Sequence, residues 1–175
     1  ENAAEQWSLR QTEIEKFYQE GDLQGALNIT QEAVSLAETA FGPASLETIS
    51  SMLLQAQIHS ELDQLEEANQ IYQTALETTV SAFGESDTAT LSVLDSYGQF
   101  LNSIDPEMAE PILTEALRLS EDEDPQRAAR MKALGKNFQE MGRISEAEEM
   151  LNEALKVFQT LVGEKDAETL SVMAV

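Results

Sequence analysis

Apolar residues return along this chain at helical spacing, and no stretch alternates for long enough with the period of two that a half-buried strand requires. From Leu65 onward, Ala68, Tyr72, Ala75, Leu76 and Phe83 fall on one helical face. Ile144, Ala147, Leu151, Ala154, Leu155, Phe158 and Leu161 repeat that pattern further along. Ser45, Asp87 and Asp166 stand just before other periodic segments, where their side-chain oxygens can accept from the free amides of a first turn. Gly21 and Gly142 lie between segments, and glycine readily takes the left-handed conformation that closes a helix. The spacing predicts helices over 2–20, 22–40, 45–62, 64–82, 87–103, 106–120, 125–141 and 143–161, with a partial helix over 166–175. The expected class is all-α.

Two motifs recur and interleave. FGPASLETISSML begins at Phe41, FGESDTATLSVLD at Phe83 and VGEKDAETLSVMA at Val162. Between them lie GDLQGALNITQEAV from Gly21, DQLEEANQIYQTAL from Asp63 and GRISEAEEMLNEAL from Gly142, with a weaker copy, DPEMAEPILTEAL, from Asp105. Gly42 and Gly84, and likewise Thr48 and Thr90, are 42 residues apart. Self-similarity at one fixed period marks a repeat architecture, here with two helices per unit. The units run over about 2–42, 43–84, 85–122 and 123–163, with a partial fifth over 164–175. Small residues at Ala26, Ala68, Ala109 and Ala147 allow the paired helices to approach closely.

Two places break the pattern. SIDPEM replaces the glycine turn of the third unit; Pro106 suits a first helical turn, whereas Pro111 is expected to kink that helix or delay its start. The link SEDEDPQ (120–126) lacks glycine and is expected to be the least regular junction.

Charge removes several functions. Thirty-three acids against ten bases give a formal net charge of −23, and no lysine or arginine occurs from Phe17 to Leu117. Nucleic-acid binding needs a basic face, so it is excluded, and an anionic membrane surface would repel the chain. No run approaches the roughly 18 apolar residues of a membrane span. With no cysteine and one histidine, His59, thiolate chemistry and multi-histidine metal sites are absent. No phosphate loop, nucleophile elbow or metal box is written in the chain. Glu121–Asp124 lacks the glycine and spacing of a calcium loop and reads as a solvated linker. Catalytic residues, cofactors and metals are therefore not expected. The aromatics Phe41, Tyr72, Phe138 and Phe158 read as packing residues.

These motifs resemble the tetratricopeptide repeat, in the 42-residue variety of kinesin light chains. The likeness is strongest in ALGKNFQEMGRISEAEEMLNEAL (133–155), which carries the leucine–glycine pair, the aromatic, the turn glycine and both small residues. It covers essentially the whole chain. The resemblance implies a right-handed α-solenoid of helix-turn-helix repeats whose first helices line a concave groove for a peptide or partner segment. By position, the first unit would offer Gln11, Glu15 and Tyr18, and the second Leu53, Gln57 and Ser60. The third would offer Asp95, Gln99 and Asn102, and the fourth Lys132, Lys136 and Gln139. Amides suit an extended peptide backbone because they both donate and accept. Lys132 and Lys136, with neighbouring Asn137, point to capture of an acidic or C-terminal group, and Lys136–Glu140 has ion-pair spacing.

The resulting expectation is a non-catalytic interaction scaffold with a protein or peptide partner, no nucleic acid and no membrane insertion. The alternative is a ligand-sensing regulatory segment of a larger signalling or transcriptional regulator. The compartment stays open, with the cytoplasm favoured over others. Residues beyond 175 are expected in a parent chain, because the sequence stops inside a helical pattern. The apolar strip Leu170, Val172, Met173 and Val175 would support self-association through 166–175.

Overall fold

The computed structural model describes residues 2–122, 124 and 126–161. Among them are eight helices and no strand: α1 (Ala3–Gln19), α2 (Leu23–Phe41), α3 (Leu46–Glu61), α4 (Leu65–Phe83), α5 (Thr88–Ile104), α6 (Pro106–Leu119), α7 (Arg127–Glu140) and α8 (Ile144–Leu161). The class is an all-α solenoid of helical repeats. Two compact units, Glu1–Val93 and Leu94–Val175, divide within α5, and each spans more than one of the sequence repeats, so the first unit of the structure carries both Gln11 and Gln57 and the second both Gln99 and Lys132. The segment 166–175, to which the sequence assigns self-association, lies outside the described residues.

In the first unit, Asn2 and Glu5 form a reciprocal cap: Asn2 Oδ1 accepts from the Glu5 amide at 3.0 Å, and the Glu5 carboxylate accepts from the Asn2 amide at 3.1 Å. Gly21, at φ +76°, turns the chain, and Asp22 caps α2 through the Gly25 amide at 2.8 Å. At the equivalent turn between α3 and α4, Asp63 takes the left-handed conformation, at φ +61°. Ile14, Ala26, Ala33 and Ile58 form one buried cluster, with Trp7, Phe17 and Leu54 packed on it. Ile49, Ala75 and Val93 form another, packed by Met52, Leu53 and Leu76.

The repeated Gly–Thr spacing has a physical basis. Thr48 Oγ1 donates to the Gly42 carbonyl at 2.8 Å, and Thr90 Oγ1 donates to the Gly84 carbonyl at 2.7 Å. Both threonines are fully buried. Each bond staples the start of one repeat to the glycine that ends the previous helix. Ser45 caps α3 through the Thr48 amide at 3.1 Å, as its position predicts.

In the second unit a single residue, Asp105, joins α5 to α6 and caps α6 through the Glu107 amide at 2.9 Å. Pro106 opens the helix, which runs on through Pro111 without the expected delay. Proline removes the donor for the carbonyl four residues back, and Glu107 is exposed, so water can satisfy it. Asn137, fully buried on α7, braces this tight turn by donating to the Pro106 carbonyl and to Asn102 Oδ1, each at 2.7 Å. Glycine is needed at two close approaches: a Cβ on Gly98 would lie 2.5 Å from Leu113 Cδ2, and one on Gly135 would lie 2.7 Å from Leu151 Cγ. Ala109 and Ala147 are buried like Ala26 and Ala68.

The apolar faces read from the sequence hold in their centres and fail at their ends. Tyr72, Phe138 and Phe158 are buried, but Phe83 and Ile144 are 43% and 54% exposed. They occupy the last and first helical positions, where the neighbouring helix no longer covers them. Phe41, also at a helix end, is partly sheltered by an edge-to-face contact with Trp7 at 5.3 Å.

Candidate partner-binding site

Each unit has a groove along its first helices. In the second unit, α5 supplies Gln99 and Asn102 to one wall, and α7 supplies Lys132 and Lys136 to the other. Leu113 of α6 and Ala129 and Ala133 of α7 make its apolar part. Its volume is about 340 Å³, within the range of ligand clefts. The two lysines lie one turn apart, so their ammonium groups share one helical stripe. Glu140, which has ion-pair spacing from Lys136, instead accepts from Asn102 Nδ2 at 2.6 Å.

Four of the sequence-selected residues thus come together: Gln99, Asn102, Lys132 and Lys136. Asp95 is on the same helix but has a different task. Its two carboxylate oxygens accept from Arg130 Nε and Nη2, both at 2.9 Å, and Arg130 is 5% exposed. Asp124 Oδ2 accepts from Arg130 Nη1 at 2.5 Å. Burial alone would raise the Asp124 carboxyl, but hydrogen bonds from the Gln126 amide and Arg130 outweigh it and hold the carboxyl below its ordinary value. The same two carboxylates hold the Arg130 guanidinium above its ordinary value against its own burial. Beside this network Arg127 donates to the carbonyls of Leu117 and Ser120 at 2.8 and 3.0 Å. Of the acids in this link, Asp124 is therefore held by Arg130, whereas Glu121 and Asp122 are exposed, as its composition suggested. Gln139 is exposed on α7 but outside the groove lining, and Asn137 is committed to the turn brace.

Gln57 lies in the groove of the first unit, between α1 and α3, with Gln11, Glu15 and Tyr18. This groove has a volume of about 630 Å³. Leu53, expected to line it, packs instead with Ile49, Ala75 and Val93, and Leu54 takes its place. Sequence positions also missed Trp7, whose ring lines the groove while its Nε1 donates to Ser51 Oγ at 3.0 Å. Tyr18 Oη donates to Glu61 and accepts from Gln57 Nε2 at 3.2 Å. The bond to Glu61, with burial adding to it, pushes the phenol above its ordinary value. A shallower cleft over α2, α3 and α4 holds His59, whose Nδ1 lies 2.7 Å from Gln64 Oε1, a structural contact. No group of three or more metal-ligating side chains occurs among the described residues, and no described helix is long and apolar enough to cross a membrane.

The paired helices, staple glycines and grooves on the first helices define a helical-repeat protein. The tetratricopeptide repeat family model matches residues 17–79 and 105–160, and the chain belongs to that family. The structure is similar to BtubC (BKLC) from P. vanneervenii, with a TM-score of 0.79, 19% identity, and coverage of 93% of this chain and 67% of that one. It is also similar to the nearly identical TPR-like repeats of a candidate kinesin light chain from Podosopora anserina, with a TM-score of 0.78, 15% identity, and coverage of 98% and 83%. At these identities the likeness is one of fold, of the kinesin-light-chain type. No curated protein matches the sequence. Tetratricopeptide repeats generally mediate protein–protein interaction, and members of the family are typically non-catalytic scaffolds.

Proposed function

We propose that the chain is a non-catalytic scaffold that holds an acidic or C-terminal partner segment in the groove between α5 and α7. The observation that carries this reading is the joining of Gln99 and Asn102 on one wall to Lys132 and Lys136 on the other, over an apolar floor. The Gln99 amide can bond an extended backbone, with Asn102 held in place beside it by Asn137 and Glu140, while two ammonium groups meet carboxylates. Placed one turn apart, the lysines favour two acidic groups, or one acidic side chain beside a terminal carboxylate. Asp95 takes no part in this contact, because Arg130 holds it.

Calorimetric titration with a short peptide ending in aspartates and a free carboxylate tests the reading. Amidation of the terminus and Lys132→Glu with Lys136→Glu should each weaken binding, by about twofold to fivefold per ion pair removed. Equal affinity for the amidated and free peptides, unchanged by the charge reversals, would remove this groove from consideration.

A further inference from the structure

The groove of the first unit has a different chemistry. Trp7 and Tyr18 line it with Ile14 and Leu54, and Glu15 stands in the same wall. Glu61 joins at the edge, where it accepts from Tyr18 and from Gln57 Nε2 at 3.0 Å. No lysine or arginine is among the lining residues. The cations of the first unit are engaged elsewhere: Arg10 pairs with Glu13 and Glu32 at 2.8 and 3.0 Å, and Lys16 lies 4.0 Å from Glu20. Among the described residues, neither Glu15 nor Glu61 pairs with a cation.

Aromatic faces attract guanidinium and ammonium groups, and carboxylates bind arginine in a two-pronged manner. Long basic side chains also carry aliphatic stems, which leucine and isoleucine can receive. All three kinds of contact surface border this one groove. Its rings are already fixed: Ser51 holds the Trp7 indole, Phe41 packs edge-on against it, and Glu61 and Gln57 hold the Tyr18 hydroxyl. Pre-ordered side chains lose less entropy on binding. The surrounding field has the same sense, since no lysine or arginine occurs from Phe17 to the end of this unit.

We infer that this groove docks a cationic peptide segment, with arginine or lysine side chains separated by apolar ones. Glu15 and Glu61 act as counter-charges, and Trp7 and Tyr18 as ring faces. The inference goes beyond the proposal for the α5–α7 groove, which involves other residues and the opposite charge.

Trp7 is the only tryptophan in the chain, so its emission reads this groove directly. The test titrates the full chain with a short synthetic peptide carrying arginines between alanines and leucines, and with its glutamate counterpart. The arginine peptide should change Trp7 emission saturably, and the glutamate peptide should not. Glu15→Gln combined with Glu61→Gln keeps an acceptor for Tyr18 and should weaken arginine-peptide binding by about twofold to fivefold per charge. Raised salt should weaken it too. Lys132→Glu with Lys136→Glu should leave it intact, which separates failure here from failure of the α5–α7 reading. If the double glutamine variant loses helical circular dichroism, Glu15→Gln alone, at an exposed position, serves instead. The inference is overturned by an absent or non-saturable response to the arginine peptide, or by equal binding of the glutamate peptide. It is also overturned if the glutamine variants bind like the unaltered chain, or if the emission change follows the chain's own concentration, which would make a second copy the occupant.

Discussion

Replacing Arg130 by methionine removes a nearly fully buried guanidinium while keeping much of its volume. Three of its nitrogens bond two carboxylates, Asp95 on α5 and Asp124 in the link before α7. Breaking a buried ion pair by deleting one partner typically costs about 3–5 kcal/mol. Here the two aspartate side chains remain 27% and 22% exposed, so water can recover part of their solvation. The expected loss is therefore about 2–4 kcal/mol. Asp95→Asn leaves Asp124 in place and one oxygen still accepting, so about 1–2 kcal/mol is expected. The double variant should lose less than the sum, with a coupling of about 1–2 kcal/mol, because the second change removes a contact already lost. Urea unfolding of the chain and its three variants, with slopes compared to check that compactness is unchanged, measures all four terms. A loss below about 1 kcal/mol for Arg130→Met, or strict additivity in the cycle, would refute the account of Asp95 as an internal counter-ion.

Other changes follow from the same geometry. Asn137→Ala removes both donors that brace the Pro106 turn and is expected to cost about 1–3 kcal/mol in the same unfolding assay; a neutral effect would show that the brace is idle. Gly98→Ala gains about 1 kcal/mol of helix propensity, yet its methyl meets buried Leu113, so net destabilisation should appear as a lowered melting midpoint, and a raised one would contradict the close approach. Asp124 has a folded pKa below its unfolded value, so its contribution is present above the ordinary aspartate range and is lost as pH falls through the folded value. Asp124→Asn should therefore flatten the acid limb of a stability-against-pH profile below about pH 4, and identical limbs would exclude the linkage. With a net charge of −23, the melting temperature should rise from low salt to about 0.5 M sodium chloride, where the Debye length is roughly 4 Å; a flat trend would mean the acids are well separated.

The helices were legible in the sequence because their signals are local. The apolar period, the caps at Ser45 and Asp87 and the glycine turns depend on residues a few positions apart. Asp63 even follows from its alignment with Gly21 and Gly142. The groove was legible in part, since side chains four apart on one helix share a face. What stayed hidden depends on contacts distant in sequence. Asp95 has the register of a groove residue, but a partner 35 residues away claims it. Trp7 reaches its groove through a bond to Ser51, 44 residues on. The exposure of Phe83 and Ile144 could not be read from periodicity, which describes a face but not where the covering helix stops.

The two kinds of junction also set an order of assembly. The Thr48–Gly42 and Thr90–Gly84 staples each close a loop of six residues, whereas Arg130–Asp95 closes one of 35. Loop-closure entropy grows with the logarithm of length, so the longer closure is disfavoured by roughly 1.5 kcal/mol relative to either staple. It also asks a guanidinium and two carboxylates to shed water before their partners arrive. The threonine junctions should therefore be in place early, with the arginine junction among the last contacts to form. Pulse-labelled hydrogen exchange during refolding should protect the amides around Thr48 and Thr90 before those around Arg130. Simultaneous protection would mean that the chain assembles in one step despite the difference in its junctions.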